Sequence, residues 1–279
     1  MTEKADDLAP QQYANVSGTY NIAATYCTPD EGPGKALQIL THGISFDRSY
    51  WDFPLFGYNY SYVNAALARG YSTFSYDRLG IGQSSHGDPI NEVQASLQEE
   101  ALVYLTKELR GGCLPGVHNA YTKTFHVGHS FGSVQLFNLT SRAAAAGVHD
   151  LSDGIALTGF SKSATFLPYF LLGGNFVSVT SNPSLAPSYG PGYFAAGDES
   201  AVQTNFFAPG QFDPVVLSAL TQTGQPAAMG ELLTIGEAAA GTSVYEGPVV
   251  VVTGGKSTVA CPPYHPLPTA WVYTRRAFC

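Results

Sequence analysis

Ser130 lies at the centre of the pentapeptide GHSFG, which matches the G-x-S-x-G pattern of a nucleophilic serine. A β-branched and aromatic segment, residues 123–127, predicts a strand directly before it, and residues 133–146 predict a helix directly after it. On such a strand-to-helix turn the serine hydroxyl projects from the sheet, and side chains at Gly128 and Gly132 would collide with the neighbouring strand and helix. We therefore predict Ser130 as the nucleophile; the alternative is a glycine-rich turn with an incidental serine.

A second loop could stabilise an oxyanion formed at this serine. His42 and Gly43 directly follow the predicted strand 36–41. In sites of this kind, one backbone N–H comes from this loop and the other from the residue after the nucleophile. The predicted donors are the N–H groups of Ile44 and Phe131. Gly43 allows a close approach of the backbone, and His42 is expected to be a structural hydrogen-bonding group.

Strands that alternate with helices are predicted along most of the chain. The candidate strands are residues 18–27, 36–41, 71–76, 123–127, 154–159 and 248–253. A helix is predicted from a cap at Asn91, with Gln94 completing a capping box, to Gly111-Gly112. Its predicted apolar face consists of Val93, Leu97, Ala101, Leu105 and Leu109. This order predicts an α/β fold with a mostly parallel sheet flanked by helices.

The segment between the fifth and sixth strands is too long for a single crossover and is rich in proline, glycine and aromatic residues. We predict that residues 161–245 form a lid inserted over the sheet. Residues 1–160 would then be the N-terminal part of the core. Residues 246–279 would hold the last recognisable core strand and an atypical tail.

Three stretches together resemble fungal α/β-hydrolases of the esterase and thioesterase kind: LTHGISFDRSYWDFP, YSTFSYDRLGIGQSSHGDP and HVGHSFGS. The resemblance implies the α/β-hydrolase fold and transfer of an acyl group from an ester or thioester to water, with Ser130 as the nucleophile. Some relatives belong to secondary-metabolite pathways, such as polyketide biosynthesis, and others are secreted. Asp77-Arg78 matches a turn that is structural in this family.

The C-terminal sequence departs from the family pattern. Relatives carry the triad aspartate soon after the strand that corresponds to residues 248–253, where this chain has Ser257. His265 is the single histidine after His149, so it is the candidate general base in the expected chain order. Residues 260–279 show neither helical nor strand periodicity. We expect the last strand and helix of the fold to be missing, through a truncation with a replaced tail or a divergent natural end.

No residue is assigned as the triad acid. Asp153 precedes its strand and is therefore expected at the wrong end of the sheet. Asp198, Asp213 and Glu231 fall in the predicted lid, where acidic residues are usually solvated.

Composition limits the remaining classes of function. The net charge of −8 argues against nucleic acid as a partner, and no apolar run approaches the roughly 20 residues that span a bilayer. No cofactor or metal motif occurs, and the four cysteines lack metal-ligand spacing. The expected partner is a small organic ester or thioester, and no oligomeric state is predicted. The polar N-terminus favours a cytoplasmic location, with secretion as the alternative.

Three functions are compatible with these features. The first is a serine hydrolase that cleaves an ester or thioester in a fungal polyketide or other secondary-metabolite pathway. The second is a non-catalytic homologue that binds a small molecule or a protein partner, because the acid and histidine of the triad are missing from their usual places. The third is lyase or cyclase chemistry on the same fold, since fold does not fix function.

Overall fold

The computed structural model describes residues 14–162 and 167–254. Its strands are β1 (Ala24–Cys27), β2 (Leu37–Thr41), β3 (Ser72–Tyr76), β4 (Thr124–His129), β5 (Ile155–Thr158), β6 (Phe176–Ser178), β7 (Tyr193–Ala196), β8 (Ala227–Ala228) and β9 (Val249–Val252). Its helices are α1 (Leu55–Tyr58), α2 (Tyr62–Leu67), α3 (Ala95–Gly111), α4 (Phe131–Ala145), α5 (Leu167–Gly173), α6 (Glu199–Phe206), α7 (Pro214–Thr223) and α8 (Met229–Ala240). Short 3-10 turns form at Arg48–Asp52 and Val179–Ser181.

Six strands form the main sheet in the order β1-β3-β2-β4-β5-β9. β1 runs antiparallel to β3, and the other neighbours are parallel. Thr41 at the end of β2 lies opposite Gly128 of β4, and His129 lies opposite Thr158 of β5. The loops that follow these three strands therefore leave the same edge of the sheet side by side.

Apolar side chains cover both faces of this sheet. On one face Leu37 and Ile39 of β2 pack with Leu102 and Leu105 of α3 and Leu136 of α4. On the other face a second cluster consists of Leu40, Trp51, Val63 and Val127. Strands with apolar residues toward both sides are the pattern of a parallel sheet between helical layers. The predicted α/β architecture is confirmed.

The first predicted strand is shorter than expected. Residues 18–27 alternate in the strand manner, but β1 covers only Ala24–Cys27. Upstream, the N–H of Asn21 donates to Ser85 Oγ and the N–H of Ala23 donates to Ser84 Oγ. The hydroxyl groups of Ser84 and Ser85, in the turn after β3, thus accept N–H groups that would bond to a neighbouring strand if β1 were longer.

The predicted helix around residue 100 begins later than expected, and its buried face matches the predicted apolar face only in part, at Leu105 and Leu109. Gln94 is the cap residue of α3, and its side chain makes no capping bond. Asp88 rather than Asn91 accepts the N–H groups of this turn, at Ile90 and Asn91. The predicted end is correct, because Gly112 adopts the left-handed conformation that terminates the helix. The buried residues of α3 are Ala95, Gln98, Glu99, Leu102, Leu105, Thr106 and Leu109.

Between β5 and β9 the chain forms a second structural layer. β6, β7 and β8 make a small antiparallel sheet, and α6 packs against α7 beside it. α8 lies at the end of this segment and packs against the core helices α3 and α4. The assignment of residues 161–245 as a lid stays a prediction.

The predicted C-terminal features lie outside the described residues, which end at Gly254. These are Ser257, His265 and the expected loss of the last strand and helix. None of the described helices is long and apolar enough to cross a membrane.

Candidate active site

Ser130 occupies the turn between β4 and α4 in a strained backbone conformation. Its φ of 51° and ψ of −116° lie in a region that residues other than glycine rarely adopt. Two backbone bonds hold the turn: the Ser130 N–H donates to Thr158 O at 2.9 Å, and its carbonyl accepts the Val134 N–H at 3.1 Å. The residue is half-buried, and its Oγ makes no hydrogen bond within residues 14–162 and 167–254. This arrangement holds a hydroxyl at the carboxyl edge of the sheet.

The two glycines of the pentapeptide lie where backbone segments approach most closely. A Cβ at Gly128 would be 2.7 Å from both Gly132 C and Ser133 N, at the start of α4. A Cβ at Gly132 would clash with the carbonyl oxygen of Thr41 at the end of β2. Glycine is therefore required at both positions because the start of α4 packs directly against β4 and against the end of β2.

The loop after β2 approaches this turn from the side. A Cβ at Gly43 would be 3.0 Å from the Cβ of Ser130, so only a glycine allows this separation without displacement. Neither Ile44 nor Phe131 donates its backbone N–H to another of the described residues. Both side chains are buried in one apolar cluster. The Phe131 N–H also belongs to the first turn of α4, whose dipole favours negative charge.

His42 has the structural role that was expected of it. Its Nδ1 donates to the Gly43 carbonyl oxygen at 2.9 Å, and its Nε2 accepts the Arg78 N–H at 3.0 Å. Burial, and then the nearby Arg78 charge, lowers the pKa of His42 well below its usual value. A neutral ring with both nitrogens occupied connects the loop after β2 to the loop after β3.

His129 is also held by packing rather than by the serine. Its Nδ1 donates to Thr158 Oγ1 at 3.0 Å, and its ring stacks on Tyr50 at a centroid distance of 4.5 Å. Burial lowers the pKa of His129 to about 4. These contacts agree with the expectation that His129 is not the general base.

A sequence model of the alpha/beta hydrolase family matches residues 38–276. The chain belongs to the alpha/beta hydrolase family. The fold expected from the three sequence stretches is confirmed.

Solved structures of other proteins show the same fold. A hydrolase from Pseudomonas aeruginosa PA01 is 16% identical with a TM-score of 0.53, over 92% of this chain and 84% of that chain. A soluble variant of monoglyceride lipase from Saccharomyces cerevisiae, solved with a substrate analog, is 15% identical with a TM-score of 0.54, over 93% and 81%. Epoxide hydrolase A from Mycobacterium thermoresistibile is 16% identical with a TM-score of 0.51, over 84% and 79%. At these identities the likeness shows the fold alone. No curated protein sequence matches this chain.

The aspartates of this α/β hydrolase that sequence reasoning set aside have structural roles. Asp153 lies before β5, at the opposite end of the sheet from Ser130, and pairs with Arg110 and Lys123. Asp198 and Asp213 are exposed and cap helices α6 and α7. The predicted turn function of Asp77 also agrees with the structure, since its carboxylate accepts the N–H groups of Arg48 and Gln83 at 2.9 Å.

The expectation for Glu231 was wrong. Its side chain is 0% exposed rather than solvated. Glu231 Oε1 pairs with Arg78 and accepts Gln98 Nε2 at 2.9 Å, while Oε2 accepts the Ala228 N–H at 2.8 Å. Gln98 Oε1 in turn accepts Gln135 Nε2 at 2.7 Å. A carboxylate can be buried here because every partner is a donor and one of them is a cation.

This buried network is the main feature of the hydrolase that sequence patterns missed. Arg78 and Glu231 are 153 positions apart, so no local periodicity relates them. Gln98 lies on the buried face of α3 together with the polar residues Glu99 and Thr106, so the apolar periodicity of this helix gives no signal of an internal network. Among the described residues, no cluster of His, Cys, Asp and Glu side chains could hold a metal ion.

Proposed function

We propose that this α/β hydrolase cleaves a carboxylic ester or thioester through an acyl-Ser130 intermediate. The observation that carries the proposal is the strained turn at Ser130, with φ of 51°, beside two backbone N–H groups that have no partner among the described residues. A strained nucleophile turn next to unoccupied backbone donors is the arrangement that acyl transfer requires.

The proposed reaction has two steps. Ser130 Oγ loses its proton to a general base and forms a bond to the substrate carbonyl carbon, and the alcohol or thiol then leaves with a proton. Water cleaves the resulting acyl-serine and returns the hydroxyl to Ser130. Ile44 N–H and Phe131 N–H are the proposed donors to the oxyanion in both steps. His265 is the proposed base, and no residue is assigned as its acid.

The surroundings of the loop after β2 favour an organic acyl group. The Phe46 ring lies 6.2 Å from the His129 ring and 5.2 Å from the Phe206 ring of α6. Aromatic side chains of the core loop and of the proposed lid therefore meet beside the proposed oxyanion donors. Apolar surfaces of this kind bind the hydrocarbon part of a substrate. The resemblance to fungal esterases and thioesterases extends the proposal to a polyketide or other secondary-metabolite pathway.

Hydrolysis of a short p-nitrophenyl ester and of a simple alkyl thioester tests the proposal. We expect a measurable rate for the wild type and a loss of at least about 10³-fold for Ser130→Ala. Ser141→Ala is the matched control, because Ser141 lies on the same helix and its Oγ bonds to the segment after α8, donating to Thr242 O and accepting the Val244 N–H. His265→Ala tests the base separately. An equal rate for wild type and Ser130→Ala would refute the proposal, and no rate from either folded protein would favour a non-catalytic binding function.

A further inference from the structure

A buried arginine lies behind the proposed oxyanion donors. The side chain of Arg78 is only 1% exposed. Its Nη2 donates to the carbonyl oxygen of Gly43 at 3.3 Å, and its guanidinium carbon lies 4.9 Å from the centre of the Phe131 ring. Arg78 therefore touches the peptide that precedes Ile44 and the side chain of Phe131, the two residues proposed to supply the donors.

The contact with Gly43 matters because of peptide geometry. The Gly43 carbonyl and the Ile44 N–H belong to the same peptide unit, and in a planar trans peptide these two groups point in opposite directions. Two donors hold the carbonyl oxygen: His42 Nδ1 at 2.9 Å and Arg78 Nη2 at 3.3 Å. Fixing the carbonyl on one side fixes the direction of the N–H on the other. Hydrogen bonds to the oxygen also polarise the amide and strengthen its N–H as a donor.

The arginine is itself held by a residue of α8. Glu231 pairs with Arg78 Nη1, and its remaining bonds to Gln98 and to the Ala228 N–H keep the carboxylate in place. Gln98 Oε1 accepts a further bond from Arg78 Nη1 at 2.8 Å. Since α8 follows the small sheet of the proposed lid, this ion pair joins the end of that segment to the loop after β2.

We infer that Arg78 and Glu231 are positioning residues that hold the Gly43–Ile44 peptide with its N–H directed at the oxyanion formed on Ser130. This inference rests on the proposed function, since it assigns a purpose to the Ile44 N–H in ester or thioester cleavage. The alternative is an ion pair that only stabilises the fold.

Kinetics of Arg78→Met separate these two possibilities. An oxyanion donor acts in the transition state, and its complete loss lowers kcat by about 10²–10³-fold. Because His42 Nδ1 still holds the Gly43 oxygen in Arg78→Met, we expect this variant to lower kcat by about tenfold or more, with KM nearly unchanged. The control is Arg142→Met, because Arg142 also pairs with a fully buried glutamate, Glu99, but its partners Glu99 and Glu100 both lie on α3 rather than in the loop after β2. Its kcat should stay within about twofold of the wild type. Equal kcat values for Arg78→Met and Arg142→Met, both measured on folded protein, would overturn the inference.

A spectroscopic measurement tests the positioning independently of activity. The chain contains three Gly–Ile peptides, at Gly43–Ile44, Gly80–Ile81 and Gly154–Ile155. Labelling glycine with carbonyl ¹³C and isoleucine with ¹⁵N therefore gives three correlations in a carbonyl–amide NMR spectrum. Ile44→Val identifies the first by its disappearance.

We expect Arg78→Met to shift the Gly43–Ile44 correlation and to leave Gly154–Ile155 in place. If the methionine variant fails to fold, Arg78→Lys serves instead, since one ammonium cannot span Gly43 O and Glu231 as the guanidinium fork does. An unshifted Gly43–Ile44 correlation would overturn the inference. Absence of activity in the wild type, with the shift observed, would instead refute the proposed function and with it the purpose assigned to the Ile44 N–H, while showing that Arg78 holds the Gly43–Ile44 peptide.

Discussion

Removing the Cβ at position 130 should make the protein more stable. The conformation at Ser130, with φ of 51° and ψ of −116°, costs on the order of 1–3 kcal/mol for a residue with a Cβ and little for glycine. Glycine also adds chain entropy to the unfolded state, which lowers stability by about 0.4–1 kcal/mol. Ser130→Gly should therefore raise the free energy of unfolding by about 1 kcal/mol, or Tm by roughly 2–4 °C.

Ser130→Ala is the control for this prediction, because alanine also removes the hydroxyl but keeps the Cβ and its strain. Urea unfolding followed by circular dichroism gives the free energy of unfolding of all three proteins. Ser130→Gly should be the most stable, and both variants should lack esterase activity. If Ser130→Gly were less stable than Ser130→Ala, by the amount that glycine entropy alone predicts, the turn at residue 130 would not be strained.

Two further predictions concern other parts of the fold. Gly132→Ala should destabilise the protein by at least about 3 kcal/mol, because its Cβ would clash with the Thr41 carbonyl, while Gly236→Ala in α8 should stabilise by about 0.5–1 kcal/mol; thermal unfolding of both variants checks this. Burial raises the pKa of Glu99 from 4.5 to about 7, so the folded state retains a proton that the unfolded chain loses. The contribution of this proton to the free energy of unfolding is fully present below pH 4.5 and is lost as the pH rises through 7. Between pH 4.5 and pH 8 the free energy of unfolding of Glu99→Gln should therefore rise by roughly 1–3 kcal/mol relative to that of the wild type, as measured by urea unfolding. Equal pH dependence of the two proteins would contradict this.

The sheet and the serine turn could be predicted because their signals are local. The GHSFG segment combines two close backbone approaches at Gly128 and Gly132 with a strand before it and a helix after it. Each of these features leaves a mark within a few residues of Ser130. The left-handed glycine that ends α3 is a local signal of the same kind, and it gave the correct helix end.

The buried polar network could not be predicted, because its members signal nothing until the fold brings them together. Gln98, Glu99 and Glu231 are polar residues, and a pattern of apolar positions assigns such residues to the solvent. For this reason the predicted apolar face of α3 differs from the buried face, which includes Gln98 and Glu99. Their burial depends on Arg78, Asn138 and Arg142, which lie on other elements.

Covalent labelling of Ser130 tests the proposed nucleophile most directly. The full chain and its Ser130→Ala variant are treated with a fluorophosphonate, digested, and mapped by tandem mass spectrometry. A phosphonyl adduct on Ser130 of the wild type, absent from the variant, is the expected result. The strained turn favours attack by this hydroxyl, as do the two backbone N–H groups that have no partner in the part of the chain that the structure describes. An adduct on a different residue, or a folded wild-type protein without any adduct, would contradict the assignment of Ser130 as the nucleophile.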